Sequence, residues 1–153
     1  LQLQAGAFLA PGAAQQPARR GDGLLQRLVA DLNAMYRREP ALYELDFDGF
    51  GFEWIDCSNH EDSVLSYIRK AKNPEDFLVV ASNFTPVVRT GLRLGVPRGG
   101  WYQEIFNSDS EYYEGTNVGN YSGVEASNDE SHGRPHSFVV TVPPLATVVL
   151  KPQ

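Results

Sequence analysis

The chain has 153 residues with 13 basic and 19 acidic side chains, a net charge of −6 and one cysteine. That is the length of a single domain, able to bury roughly two-thirds of the surface its unfolded form exposes. The lone Cys57 excludes an intramolecular disulfide or a multi-cysteine zinc site and fits a reducing cytosol; the charge has the wrong sign for a nucleic-acid binder, and no apolar run reaches the roughly 20 residues of a membrane-crossing helix.

Residues 1–22 are rich in Ala, Gln, Gly and Pro without a sustained period and read as a leader or linker. They lack the basic start of a secretion signal. A helix is expected over 23–40. Leu25, Leu28, Val29, Leu32, Met35 and Tyr36 recur at helical spacing as one apolar stripe, with Asp22 as a cap, Arg37 and Arg38 at the negative end of the dipole, and Pro40 disfavouring helix at Glu39. Such a stripe has to be covered by something.

Residues 41–153 read as strand after strand. The candidate runs are Phe52–Cys57, Val64–Arg69, Phe77–Asn83, Gly91–Val96, Trp101–Asn107, Phe138–Val142 and Thr147–Lys151. Leu92, Leu94 and Val96 alternate with Arg93 and Gly95, as in a strand buried on one face. FLVVAS is apolar on both faces, as a central strand is. Seven strands at this spacing predict a mainly β fold, an antiparallel β-sandwich preceded by one amphipathic helix.

The long break Ser108–His136 holds six acids (Asp109, Glu111, Glu114, Glu125, Asp129, Glu130) against Arg134, and so carries five of the six net negative charges. It also holds Tyr112, Tyr113 and Tyr121. Loops beyond about 15 residues are usually functional or docked on a neighbour.

The chemistry-bearing residues all have structural alternatives. Cys57 follows Glu53 and Ile55 in strand alternation, so it is expected to face the core; His60 lies across a turn, with Asp56, Glu61 and Asp62 bracketing the bend. His132 and His136 in HGRPH have a metal-ligand interval, but Gly133 and Pro135 break the helix that interval needs. DSEYYEG lacks the acid spacing of a calcium loop, and a solvated negative face is expected there. No metal or cofactor is expected. Trp54, Trp101, Tyr102, Tyr112, Tyr113 and Tyr121 are the candidates for glucan contact or domain docking, because flat rings stack on the C–H faces of sugars. The same rings also serve as core, the expectation favoured for both tryptophans. No pair of acids can be nominated as a catalytic couple, so no catalytic residue is expected.

LQRLVADLNAMYRREPALYELDF, GFEWIDC, SVLSYIRK, LVVASNFTPVVR, GVP, NVGNYSGVEA, HGRPHS and PPLATVVLKP follow one another from Leu25 to near the end of the chain. In this order they resemble the C-terminal end of bacterial glycogen branching enzymes, the 1,4-alpha-glucan branching enzymes of the alpha-amylase superfamily. The resemblance implies an N-terminal β module, a (β/α)8 barrel and a closing β-sandwich. The barrel cuts an alpha-1,4 glucan, holds the piece on an aspartate and rejoins it through an alpha-1,6 bond, with a glutamate as acid/base. By this resemblance the predicted helix is the barrel's last one, the catalytic carboxylates lie upstream of Leu24, and the partners are the barrel and alpha-glucan. Residues 1–21 depart from the late barrel segment expected before such a helix, and Ser122 stands where the family pattern has glycine. Two other readings remain open: a free-standing carbohydrate-binding module using the loop tyrosines, and a small enzyme centred on Cys57 and His60.

Overall fold

The computed structural model describes residues 22–153. The leader expected over 1–22 falls outside them apart from Asp22, whose side chain, and with it the expected cap, is also outside the description. Helix α1 spans Asp22–Arg38, with Arg37 and Arg38 in its last turn. It stops where the proline rule places the stop: Glu39 N–H donates to the Met35 carbonyl at 2.9 Å, and Pro40 opens a 3-10 turn, Pro40–Leu42.

Eight strands come after it: β1 (Phe52–Asp56), β2 (Val64–Lys70), β3 (Phe77–Asn83), β4 (Arg89–Val96), β5 (Gly100–Asn107), β6 (Gly123–Ala126), β7 (His136–Val142) and β8 (Thr147–Pro152). Six of them form one antiparallel sheet in the order β1-β2-β3-β8-β5-β6; β4 and β7 form a second, two-stranded sheet. The sequence pattern predicted seven strands. The eighth, β6, lies inside the acidic break, and its four residues are too few to show a period. Pairing with β5 fixes it, from Gly100↔Ala126 to Gln103↔Gly123. Gly123 takes φ 151°, and a Cβ there would meet the Tyr102 carbonyl oxygen at 2.1 Å, so only glycine allows this close approach.

The doubly apolar run FLVVAS becomes β3, flanked by β2 and β8. Phe77, Val79 and Ala81 face the second sheet and pack with Leu94, Val96, Phe138, Val140 and Val142. Leu78 and Val80 face the other way and meet Met35 of α1, Ala41, Phe106 and Val149. Each of the Val, Leu, Phe and Met side chains among them, fully buried, contributes about 1.5–3 kcal/mol. Sheet changes occur after β3 and before β8, and buried Asn83 joins both connections. Its amide donates to the Val87 carbonyl at 2.7 Å and the Pro143 carbonyl at 2.9 Å, while its oxygen accepts from Thr85 N–H at 2.9 Å.

Two bulges reset the alternation. In β1, Trp54 pairs with Tyr67 and Asp56 with Ser66, leaving Ile55 as the extra residue; Ile55 enters the core between the sheets, and Cys57, one step past the end of the strand, is exposed. The expectation that Cys57 faces the core is therefore corrected: the bulge breaks the Glu53, Ile55, Cys57 series. In β5 the shift between Glu104 and Phe106 brings both Ile105 and Phe106 to the outer core.

Helix α1 lies on the outer face of the six-stranded sheet, but only part of its stripe is covered. Leu28 and Met35 pack against the outer core. Leu25, Val29, Leu32 and Tyr36 remain exposed. The single stripe read from the sequence is thus two, because a helix seated on a flat sheet buries a narrow line of side chains. The seat is locked by Glu39, 3% exposed, which accepts from Lys151 of β8 at 2.5 Å and from Arg38 at 2.9 Å. Burial opposes ionisation of Glu39, yet hydrogen bonds and charges from Lys151 and Arg38 outweigh it and hold the carboxyl below its ordinary 4.5. A carboxyl depressed in this way contributes stability that is complete above its unfolded-state value and disappears as pH falls through the lower folded one. Acid unfolding followed by circular dichroism is expected to show a loss of stability beginning below about pH 4.5 that Glu39→Gln removes. Lys151→Met, which leaves Glu39 with only the solvent-facing Arg38, is expected to cost about 3 kcal/mol at neutral pH in urea unfolding.

Candidate functional site

Three surfaces hold the residues that the sequence singles out. The first is the edge of the six-stranded sheet at β1, on the same outer face as α1. Phe52 and Trp54 alternate on that face with Glu53 turned inward, and Tyr67 of β2 lies beside them. Phe52 stacks on Tyr67 at 5.1 Å between centroids and meets Trp54 edge-on at 4.8 Å. Trp54 is 46% exposed, Phe50 and Phe47 just upstream are more so, and Trp101 on β5 is 41% exposed. Both tryptophans were expected inside on balance. They come out because each occupies the outward register of a strand near the sheet's edge, where no covering layer reaches.

Tyr102, a neighbour in sequence, goes the opposite way. It is 0% exposed, packs between Phe77 and Phe138, and donates its hydroxyl to the Arg98 carbonyl at 2.7 Å. Burial pushes that hydroxyl up to about 12. A residue so placed meets no surface ligand; Tyr102 is core.

The second surface is the loop from Ser108 to Tyr121. A short 3-10 turn, Glu111–Tyr113, is capped by the Ser110 hydroxyl. Asp109 organises the remainder of the loop, accepting from Thr116 Oγ1 at 2.5 Å, Thr116 N–H at 3.1 Å and Val118 N–H at 3.3 Å. This acid at least is structural, where the sequence suggested only a solvated negative face. Tyr113 donates to Asp31 of α1 at 2.8 Å, and burial together with that acceptor pushes its hydroxyl up to about 12. Arg27 of α1 lies 4.6 Å over the Tyr112 ring and donates to the Tyr112 carbonyl at 3.2 Å. Tyr121, by contrast, is 101% exposed and sits at φ 58°. The left-handed turn falls on Tyr121 itself, and the carbonyl of the unexpected Ser122 accepts from Glu104 N–H at 3.1 Å.

Between Tyr121 and β5 is a cleft of about 380 Å3 lined by Glu104, Asn107, Asn117, Val118, Gly119 and Tyr121. Its floor is fixed by hydrogen bonds: the Asn107 amide donates to Glu104 at 3.2 Å and to the Val118 carbonyl at 2.8 Å, and the Asn120 amide donates to Glu104 at 2.7 Å. The sequence pattern points to Tyr121 but not to this floor. The signal available was the density of Asn and Gly in NSD and NVGN, residues that fold a loop on itself.

The third surface is the bend after β1. Cys57 and His60 do line one depression, of about 250 Å3, with Phe84, but among the described residues no hydrogen bond joins them. Asp56 accepts from Ser58 N–H at 2.8 Å, the turn role expected of it. His132 accepts from Gly95 N–H at 3.2 Å and approaches Asp56 at 3.8 Å; His136 opens β7. Among the described residues no three His, Cys, Asp or Glu side chains converge as a metal group. Glu53 shows what the inward acids do: it joins Lys70 on β2 to Arg134 in the β6–β7 connection. Burial opposes its charge, but the two cations hold its carboxyl below the usual range.

The placement of the two tyrosines predicts opposite outcomes. Tyr102→Ala is expected to lose about 3–5 kcal/mol of unfolding free energy, the cost of emptying a core aromatic site. Tyr121→Ala is expected to change it by less than about 0.5 kcal/mol. Urea denaturation of the two variants checks both.

No helix of the described residues is long and apolar enough to cross a membrane. Residues 54–153 match the alpha amylase, C-terminal all-beta domain family. Among curated proteins, the chain is 54% identical over 126 residues to the 1,4-alpha-glucan branching enzyme of Rubrobacter xylanophilus, covering 82% of this chain and 17% of that one. It is 50% identical over 132 residues to the enzyme of the same name from Paramagnetospirillum magneticum, covering 86% and 18%, and 47% identical over 137 residues to that of Aquifex aeolicus, covering 90% and 21%. The chain thus spans about one fifth of the length of these relatives. With the antiparallel two-sheet architecture, the single leading helix and the match over 54–153, the chain belongs to the alpha-amylase C-terminal all-beta domain family, in the form found in bacterial 1,4-alpha-glucan branching enzymes.

Proposed function

We propose that this chain serves as the C-terminal domain of a cytosolic 1,4-alpha-glucan branching enzyme of glycogen synthesis, where it seats and supports the catalytic barrel while the barrel performs the chain transfer. The observation that carries this reading is the uncovered half of α1. Leu25, Val29, Leu32 and Tyr36 recur at intervals of four, three and four and stand clear of the sandwich. A helix in water gains nothing from a second apolar line, whereas each of these side chains contributes about 1.5–3 kcal/mol once covered. The line continues on the same sheet face toward exposed Tyr43, whose ring lies 5.9 Å from Tyr36, and to the Phe50, Phe52 and Trp54 group. A free-standing sugar-binding module has no use for so extended an apolar surface. An enzyme centred on Cys57 and His60 lacks the hydrogen-bonded base that a thiol nucleophile needs.

In this arrangement the chain transfer is the barrel's, and three of the domain's less exposed acids serve its own fold: Glu39 bonds Lys151, Glu53 bonds Arg134 and Lys70, and Asp109 holds its loop. The test is a full-length chimera in which this chain replaces the matching segment of the Rubrobacter xylanophilus enzyme. The chimera is expected to branch amylose, the chain alone is not, and Val29→Asp with Leu32→Asp in the chimera is expected to lower both its melting temperature and its activity. A doubly substituted chimera as stable and active as its parent, or branch points formed by the isolated chain, would sink the proposal.

A further inference from the structure

The uncovered line of α1 has an order that a covering surface of any kind does not require. Leu25, Val29, Leu32 and Tyr36 have the spacing of a coiled-coil seam, with β-branched Val29 and Leu32 at its centre. The intervals of four, three and four also read the same from either end. An antiparallel second copy of the helix, related by a two-fold axis between Val29 and Leu32, therefore sets Val29 against the partner's Leu32 and Leu25 against the partner's Tyr36, a smaller side chain meeting a larger one each time. At 100° per residue, exposed Gln26 and Asn33 flank the seam on its open side, polar but uncharged. Arg27 and Asp31 are on the side of the helix turned away from the line, where they hold Tyr112 and Tyr113. No charge stands within the seam to repel its own copy. The outer face of the six-stranded sheet continues the apolar surface with Tyr43, Phe50, Phe52 and Trp54. The helix thus forms the wall, and the bare β1 edge the floor, of an open apolar trough.

The area is that of an interface. At about 150–250 Å2 for a whole aromatic side chain, the exposed fractions of the line and of these four rings leave roughly 800 Å2 of apolar surface. The largest apolar patch of a monomer is typically about 300–600 Å2, and about 800 Å2 is what each partner brings to a standard-size protein interface. The net charge of −6 opposes the meeting of two copies, but five of those six charges belong to the segment Ser108–His136, which contributes no residue to the trough. We propose that, when it is not seated on a barrel, this chain forms a two-fold dimer through α1, with the two helices antiparallel and each lying in the other's trough. The partner's helix then covers Phe52 and Trp54 as well as the line, and the two helix dipoles are opposed. A barrel and a second copy compete for one face, so the dimer is the form in which the docking surface is closed. This inference goes beyond the barrel reading and does not rest on it, because the self-matching spacing belongs to this chain alone.

The experiment is sedimentation velocity of the chain over about 0.1 to 100 µM, where a dimer with a Kd on the order of 1 µM is expected. Val29→Asp with Leu32→Asp, checked for native circular dichroism, is expected to weaken pairing at least about tenfold, and so is Trp54→Ala, which leaves the helix untouched. Tyr121→Ala, at the other margin of the sheet, is expected to leave it unchanged. Disulfide trapping in a Cys57→Ser background reads the orientation: mixed Val29→Cys and Leu32→Cys chains are expected to cross-link with each other in preference to their own kind. A monomer at the highest concentration, full affinity in either weakened variant, or cross-links of like with like would overturn the dimer. A monomer that pairs only after removal of residues 1–21 would give the face to that segment and overturn it equally. A monomeric chain beside a working chimera removes only the pairing, and a dimer beside a failed chimera removes only the barrel seat.

Discussion

A central strand that is apolar on both faces has to be covered twice, and most of this architecture answers that demand. β3 offers Phe77, Val79 and Ala81 to one side and Leu78 and Val80 to the other. The two-stranded sheet closes the first side. It is narrow, and Asn83 ties down two of its four connections to the larger sheet, the one that enters β4 and the one that leaves β7. The second side needs a helix, since no strand remains to cover it. Glu39 and Lys151 make that placement specific, because a buried carboxylate at the helix end has few positions in which its charge is met.

The division of surfaces stems from this double covering. α1 covers the outer face near β8 and β5 but leaves the β1 edge bare, so Phe52, Trp54 and Tyr67 share one open face with the unused side of the helix. The acidic loop sits at the other margin of the same sheet, beyond β5, and folds around its own polar side chains. One margin is therefore apolar, and the other is polar and concave. The relatives that match this chain are about five times longer than it.

The sequence was most legible where period and length agreed. FLVVAS, the alternation through Leu94 and Val96, and the helix stopping before Pro40 were all readable, because each depends on local pattern alone. What escaped was set by register. The bulge at Ile55 turned Cys57 outward, since a single extra residue exchanges the faces of the residues after it. β6 was invisible because pairing with β5, rather than its own four residues, makes it a strand. Trp54, Trp101 and Tyr102 looked equivalent as aromatic strand residues, yet the width of the covering layer left the tryptophans at the surface and took the tyrosine inside. The polar groove was hidden for another reason: Glu104 and Asn117 lie on separate elements and meet only once the loop has closed.

The bonds from Tyr113 to Asp31 and from Arg27 to Tyr112 fasten the loop to the helix rather than to the sandwich beneath it. The helix and the rim holding Tyr112 are therefore one mechanical unit, so a rotation of α1 would carry Tyr112 with it, while Tyr121, whose neighbours Asn120 and Ser122 both bond to Glu104 of β5, would stay with the sheet.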